Sequence, residues 1–201
     1  IIMTELDDLK KYGFPRRSEV VSATTQTKIP DTDHVLIFTK QDNIKKMNYY
    51  PLTVGKAPVL GSFKPSDYPT KRVIANNHDN LIMFDSLGKF SRIPVYEIES
   101  TEANSTGNAI YDVTKLNGHI VTVSPDFNIC TQQFVKDKLN TNIYLVTLSK
   151  SGLIKKTELS EFTDGKISKN SRAMRLKDDD ELIYAGVIMD TSVLMIYTKN
   201  G

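Results

Sequence analysis

Residues 142–162 read NIYLVTLSKSGLIKKTELSEF, and this stretch decides the fold because the chain repeats its pattern. An apolar run leads into the polar turn SKSG (149–152), and the apolar pair LI (153–154) follows that turn. Two β-favouring runs on either side of a glycine-containing turn are typical of a β-hairpin. The stretch therefore predicts a two-stranded antiparallel unit.

Earlier stretches of the chain repeat this hairpin. Residues 34–52 read HVLIFTKQDNIKKMNYYPL, and residues 80–98 read NLIMFDSLGKFSRIPVYEI. Residues 192–201, SVLMIYTKNG, begin a fourth copy. Alignment of the copies on their turns makes four positions equivalent: Asp42, Gly88, Gly152 and Gly201. A lone hairpin cannot bury both of its faces, so we expect the units to stack or ring around an axis in an all-β, propeller-like domain.

Composition bounds the class of protein. The chain has 201 residues, of which 39% are hydrophobic and 25% charged, as in an ordinary globular domain. The single cysteine, Cys130, excludes an internal disulfide and fits a reducing, cytoplasmic compartment. We expect no membrane span and no signal peptide. The net charge of +2 does not by itself indicate that the chain binds nucleic acid. Such binding depends on whether the cations gather on one surface.

The chain divides into a short N-terminal part and a β domain. Residues 1–12, IIMTELDDLKKY, carry apolar residues at helical spacing and predict the end of a helix. We therefore assign residues 1–33 to a helix end and linker, and residues 34–201 to about three hairpin blades and the start of a fourth. Further strands are expected at 109–114, 119–123, 128–134, 173–176, 182–189 and 192–198, and the last two are expected to pair with each other.

A basic slot recurs in the second strand of each hairpin. In chain order the slot holds Lys46, Arg92 and Lys156. The position before it holds Lys45, Ser91 and Lys155. Cations at equivalent points around a ring suit a polyanion that bends around the perimeter, because neutralised phosphates release counterions. The alternative is that these lysines only decorate exposed strands and discourage edge pairing. Because the slot is basic in all three hairpins, we favour phosphate binding.

Several motifs carry a resemblance to a known family. They are ELDDLKKYGFPRRSEVV (5–21), KFSRIPVYEI (89–98), GNAI (107–110), GLIKKTELSEF (152–162) and DELI (180–183). In order and over nearly the whole chain, they resemble the A subunits of bacterial type IIA DNA topoisomerases, DNA gyrase and topoisomerase IV. In that family a helix ending in Lys-Tyr-Gly is followed by Arg-Arg-Thr-Glu, which here is KYG (11–13) and RRSE (16–19).

The resemblance implies a C-terminal β-pinwheel, a ring of hairpin-exchanging blades that binds and bends DNA on its outer rim. The ring is incomplete in this chain and is preceded by a short N-terminal helix. The implied partners are double-stranded DNA and the ATPase B subunit or domain, in a parent that dimerises through its core. The parent would use ATP and magnesium, and we expect no cofactor in this stretch. The candidate DNA-binding residues are Lys45, Lys46, Lys56, Lys71, Arg72, Lys89, Arg92, Lys155 and Lys156.

One loop departs from the gyrase pattern. Gyrases carry a Gln-Arg-Arg-Gly-Gly-Lys-Gly type of box after the first hairpin, which the family needs for full DNA wrapping. The corresponding residues 53–61, TVGKAPVLG, retain Gly55, Lys56 and Gly61 but have no paired arginines. This favours a topoisomerase IV-like, viral or otherwise divergent enzyme.

The sequence contains no legible catalytic constellation. The family's nucleophile is a tyrosine preceded by arginine, and none of the nine tyrosines here follows an arginine. His34, His78 and His119 are far apart in sequence and, with one cysteine, predict no zinc site. We therefore expect the strand-cleaving residue outside this stretch. The rival hypotheses are a protein-interaction scaffold, and an enzyme in its own right, which would need a titratable cluster.

Overall fold

Antiparallel hairpins form at the three places that the repeated sequence pattern predicts. The computed structural model of the protein describes residues 29–49, 61–125, 142–163 and 169–198. These residues form an all-β domain in which helix is confined to short turns. None of the helices in the described ranges is long and apolar enough to cross a membrane. The predicted N-terminal helix, the strand predicted at 128–134 and Lys56 lie outside the described residues.

The elements follow one another in three similar groups. The first two groups of strands are β1 (Asp33–Thr39), β2 (Asn43–Asn48), β3 (Pro69–Asn76), β4 (Asn80–Asp85), β5 (Lys89–Pro94), β6 (Asn108–Ala109) and β7 (Ile120–Pro125). The third group is β8 (Ile143–Ser149), β9 (Ile154–Glu158), β10 (Ser171–Arg172) and β11 (Leu182–Met189). The helical turns are a 3₁₀ turn (Val95–Glu97), α1 (Ile110–Thr114) and α2 (Ser160–Thr163).

Each hairpin belongs to its own sheet. The strand orders are β3-β1-β2-β6, β10-β5-β4-β7 and β11-β8-β9. We call the corresponding parts of the chain unit 1 (33–76), unit 2 (80–125) and unit 3 (143–189). Strand β6 of unit 2 pairs with β2 of unit 1, and β10 of unit 3 pairs with β5 of unit 2. The following unit thus completes each of the first two sheets, in agreement with the predicted hairpin exchange.

The units stack face to face in chain order. Side chains alternate between the two faces of a strand, so each sheet has a forward face towards the next unit and a backward face. Leu36 and Phe38, on the forward face of unit 1, share a buried core with Leu81 and Met83, on the backward face of unit 2. This alternation explains why the strands are apolar on both faces.

A second core joins units 2 and 3 in the same way. Ile82 and Phe84, on the forward face of unit 2, pack with Leu145 on the backward face of unit 3. The rings of Phe84 and Phe162 meet edge to face with centroids 6.0 Å apart, and those of Phe90 and Phe162 do so at 5.0 Å. Aromatic pairs in this geometry contribute beyond their buried area.

The three hairpin turns have the same backbone conformation. Asp42, Gly88 and Gly152, which the sequence alignment makes equivalent, have φ angles of 53°, 73° and 89°. This left-handed region suits glycine, and aspartate is among the side chains that tolerate it. At Gly88 an added Cβ would also lie 2.6 Å from the carbonyl oxygen of Met174. The turn therefore requires glycine there for both conformation and space.

A buried side-chain oxygen stabilises each turn from its first position. Thr39 Oγ1, Asp85 Oδ1 and Ser149 Oγ each accept a hydrogen bond from the backbone N–H four residues later, at 3.3, 2.9 and 3.2 Å. All three residues are buried. A buried N–H without an acceptor is costly, so this repeated oxygen stabilises the turn. The repeat of the hairpin pattern does not by itself indicate this role for Thr39, Asp85 and Ser149.

The strand predicted at 109–114 is wrong. Asn108–Ala109 forms the short β6, and Ile110–Thr114 forms helix α1, which ends at Lys115 in a left-handed conformation. Ile110 and Thr114 are buried four residues apart, which is a helical spacing. The packing of these two positions overrides the β propensity of the segment.

The C-terminal strands differ from prediction in two places. The strand expected at 173–176 is instead β10, at Ser171–Arg172. Strand β11 forms as predicted, but its partner is β8, and residues 192–198 form no strand. Val193, Met195 and Tyr197 are 87%, 71% and 80% exposed, so within the described ranges these apolar side chains have no sheet to pack against.

Candidate nucleic-acid interface

The paired lysines of the first hairpin lie inside the protein. Lys45 is 0% exposed and Lys46 is 3% exposed. The Nζ atom of Lys45 donates to the carbonyl oxygens of Ser62 and Ala103 at 2.5 and 3.1 Å, and it lies 4.3 Å from the centroid of the Phe63 ring. The prediction that both lysines project from the rim is wrong, because folding covers their ammonium groups with protein oxygens.

Lys46 joins unit 1 to unit 2. Its Nζ atom donates to Asn77 Oδ1 at 2.9 Å and to the carbonyl oxygens of Val95 and Ile98 at 2.8 and 3.1 Å. An ammonium group has three protons, so all of its donors are used. Burial lowers the pKa of Lys46. The carbonyl groups at the 3₁₀ turn of unit 2 thereby receive a donor from unit 1, in addition to the bond that the carbonyl oxygen of Val95 accepts from the Ile98 N–H at 3.2 Å.

His34 lies beside this buried lysine. It is 4% exposed, and neither ring nitrogen makes a hydrogen bond of normal geometry. Burial, together with the charge of Lys46, lowers the pKa of His34, although the Met47 backbone, Asn77 and Asp33 oppose the shift. The neutral imidazole is therefore the form that the folded state accommodates.

The recurring basic slot is a position on the forward face of each sheet. The strand register places Lys46 opposite Leu36, Arg92 opposite Ile82, and Lys156 opposite Val146. Lys46 is covered by unit 2, and Arg92, which faces unit 3, is half-buried.

Lys156 shows the slot without a covering unit. It is exposed, lies 3.9 Å above the centroid of the Tyr144 ring, and pairs with Asp190 at 2.5 Å. The hydrogen bond to Asp190 raises the pKa of Lys156. In the described ranges no further unit covers this face. Repetition of the slot thus reflects stacking of the units, and the exposure of its cation differs from unit to unit.

The remaining candidate cations lie nearer to solvent. Arg72 and Lys155 are exposed, whereas Lys71 and Lys89 are half-buried. Lys155 donates from Nζ to the carbonyl oxygen of Ala173 at 2.9 Å, and Lys71 donates to that of Ile120 at 3.1 Å. Burial lowers the pKa of Lys71, an effect that the charge of Asp42 opposes. The structure thus distributes these cations over several surfaces.

Three lysines lie at the hairpin turns, which we call the turn edge (residues 39–43, 85–89 and 149–153). They are Lys40, Lys89 and Lys150, of which Lys40 and Lys150 are exposed. Lys150 forms an ion pair with Glu181 at 3.5 Å. Because the turns occupy equivalent places in successive sheets, the turn edge carries one cation from every unit.

Sequence reasoning missed a further cation at this edge. Arg172 is exposed and, through β10, lies directly opposite Lys89 in the neighbouring unit. The backbone N–H groups of Ala173 and Met174 donate to the carbonyl oxygen of Gly88 at 2.9 and 3.0 Å. The only signal in the sequence is the correspondence between NAI (108–110) and SRA (171–173), which both follow a hairpin. That correspondence emerges only when the strand pairing is known.

Comparison with known families agrees with this arrangement. Residues 79–125 and 144–189, which are units 2 and 3, match the family described as DNA gyrase C-terminal domain, beta-propeller. Two of the three units of the chain thus match this family. The resemblance to the A subunits of type IIA topoisomerases is thereby confirmed, and the chain corresponds to their C-terminal domain.

Two relatives that match over this whole chain are A subunits of DNA gyrase. The chain is 26% identical to the A subunit of DNA gyrase from Haemophilus influenzae, over all of this chain and 23% of that protein. It is 28% identical to the A subunit of DNA gyrase from Streptococcus pneumoniae, over all of this chain and 25% of that protein. The chain thus spans about a quarter of the length of these relatives.

Solved structures share the fold. The C-terminal domain of DNA topoisomerase IV superposes with a TM-score of 0.61 at 22% identity, covering 80% of this chain and 47% of that one. The DNA gyrase A C-terminal domain does so with a TM-score of 0.52 at 24% identity, covering 79% of this chain and 48% of that one. The predicted β-pinwheel class is therefore confirmed.

Proposed function

We propose that this chain is a non-catalytic DNA-binding domain of a type IIA topoisomerase, within its A subunit. The turn edge carries the proposal, because it presents a cation from each stacked unit along one side of the molecule. Duplex DNA has a regular row of phosphates, and cations that neutralise them bind without reading sequence. A duplex following successive units would be held and bent along the domain.

The proposed contacts differ from those that the sequence suggested. Lys45 and Lys46 are left out because their ammonium groups are buried and hydrogen bonded. The proposed set consists of Lys40, Lys71, Arg72, Lys89, Arg92, Lys150, Lys155, Lys156 and Arg172. The net charge of +2 implies modest affinity with strong dependence on salt.

In the whole protein, this domain would hold the duplex that flanks the cleavage site and assist ATP-dependent strand passage. The ATPase B subunit or domain and a dimeric core would be its partners, in the cytoplasm. ATP and magnesium would act outside this chain.

Fluorescence anisotropy with a long random-sequence duplex, at low and at moderate salt, tests the proposal. The chain should bind regardless of sequence and weaken steeply with salt. Charge reversal of Lys40, Lys89 and Lys150, the lysines of the turn edge, should reduce the logarithmic salt slope by about one for each phosphate that is no longer neutralised. A triple variant with unaltered affinity and slope would refute the assignment.

Lys169 supplies a matched control. It pairs with Glu97 of the 3₁₀ turn that follows β5, at 3.2 Å, and it is not one of the residues of the turn edge. Reversal of Lys169 removes an exposed lysine away from the turn edge, and DNA binding should change little.

Two observations favour a protein-interaction scaffold as the second candidate. Lys150 and Lys156 already pair with carboxylates, and residues 193–197 expose apolar side chains. A scaffold would show little affinity for DNA at low salt. The same titration therefore separates the two functions.

A further inference from the structure

Lys89 and Arg172 form a pair of like charges across a junction between two units. They are directly opposite in the antiparallel pairing of β5 with β10. Side chains at such positions leave the same face of a sheet with Cβ atoms about 4.5–5.5 Å apart, and like charges placed there destabilise the pairing. The strand pairing therefore brings two cationic residues side by side on one face of the sheet.

In the described ranges, carboxylates of the protein do not neutralise this pair. No acidic side chain among these residues forms an ion pair with Lys89 or Arg172. The carboxylate of Asp85, at the end of β4, is fully buried and accepts the backbone N–H groups of Leu87, Lys89 and Gly118. Its oxygens are thus occupied within the turn.

The fold does not require charge at these positions. The equivalent junction between units 1 and 2 pairs β2 with β6, and there Asn43 lies opposite Ala109. Both are uncharged, yet the exchange strand is formed in the same register relative to the hairpin turn. The cations at the second junction therefore have a reason other than pairing of the strands.

The backbone around the pair is firmly held. Gly88 accepts two hydrogen bonds from the segment that follows Arg172, and its position would place a Cβ 3.2 Å from the Leu176 side chain. A site whose backbone is fixed before binding loses less conformational entropy when the ligand arrives. Lysine provides a compact charge and arginine a planar fork, and both suit phosphate oxygens.

We infer that Lys89 and Arg172 form a composite phosphate-binding site that exists only when unit 3 has donated β10 to unit 2. The inference rests on the proposed function, because the phosphate belongs to the DNA backbone. Its consequence is that one phosphate contact of the turn edge depends on strand exchange between units.

The test compares the 201-residue chain with three variants in anisotropy titrations against the same random duplex. They are Lys89→Asn, Arg172→Ala and the double variant, which reproduces the uncharged pair of the first junction. Each single change should weaken binding several-fold at low salt and lower the salt slope by about one. Because both cations contact one phosphate, the second substitution should weaken DNA binding by a smaller factor than the first. Arg172→Lys should restore the slope.

Controls separate this inference from the proposed function. Lys169→Gln should bind like the wild type, and the melting temperature of the double variant should not fall, since repulsion is relieved. If the wild type binds DNA and both single variants bind with the same affinity and salt slope, the composite site is refuted and the proposed function stands. Failure of the wild type to bind at low salt would overturn both.

Discussion

The ammonium nitrogen of Lys46 lies 2.8 Å from the carbonyl oxygen of Val95, so a lysine of unit 1 completes the hydrogen bonding of unit 2. The equivalent Lys156 of unit 3 instead reaches Asp190 at the surface. One sequence position thus has an interior role in one unit and an exposed one in another.

Substitution by methionine should therefore lower the stability of the protein at Lys46 but not at Lys156. Lys46→Met removes the lysine donor from the carbonyl oxygen of Ile98 and from Asn77 Oδ1 and should lower the free energy of unfolding by about 3 kcal/mol. Lys156→Met should leave stability nearly unchanged, because exposed ion pairs contribute little. Urea denaturation measures both, and equal losses of stability would contradict the assignment.

Stability should fall on acidification because of His34. Its pKa in the folded state is below the ordinary value of 6.5. Below pH 6.5 the unfolded chain binds a proton that the folded chain resists, so the free energy of unfolding decreases as pH falls through that value. In His34→Gln this part of the pH dependence should disappear. His78→Gln, which changes an exposed histidine, should retain it.

Asp42 carries both a strained backbone and an inter-unit contact. Its φ is 53°, and its Oδ2 lies 2.5 Å from Nδ1 of His119 in unit 2. Both Asp42→Ala and Asp42→Gly remove the interaction with His119. Alanine keeps the unfavourable backbone conformation, whereas glycine adopts it without strain. Thermal or urea unfolding should find the alanine variant less stable than the glycine variant by about 1 kcal/mol. Equal stability would show that the left-handed turn is not strained.

The stability lost when a buried oxygen at the start of a turn is removed should increase with the number of backbone N–H groups that the oxygen accepts. Asp85 accepts three backbone N–H groups, and Ser149 Oγ accepts one, from Leu153. Asp85→Ala should cost about 3 kcal/mol and Ser149→Ala about 1 kcal/mol in free energy of unfolding. A reversed order in urea titrations would show that packing, not hydrogen bonding, governs these positions.

Local signals were sufficient to predict the hairpins. Each consists of two apolar runs around a turn with a residue suited to positive φ, and this information lies within about twenty residues. The equivalence of Asp42, Gly88 and Gly152 followed from the same pattern, and their backbone angles agree.

Non-local pairing limited the prediction of the candidate site. Sequence alternation indicates that Lys45 and Lys46 face opposite sides of a strand, but it does not say that both sides are covered. Their burial depends on Ser62, Val95 and Ala103, which other segments bring to them. Arg172 was missed for the same reason, since its neighbour Lys89 is distant along the chain.

Completion of one sheet by the next unit has a consequence for synthesis on the ribosome. The hairpin of unit 1 is synthesised before β6, and that of unit 2 before β10. The outer edges of β2 and β5 are therefore unpaired until these strands are made. An open edge is a template for pairing with another chain. Until the exchange strand of the following unit is made, this edge is the part of each new hairpin that a neighbouring nascent chain could pair with.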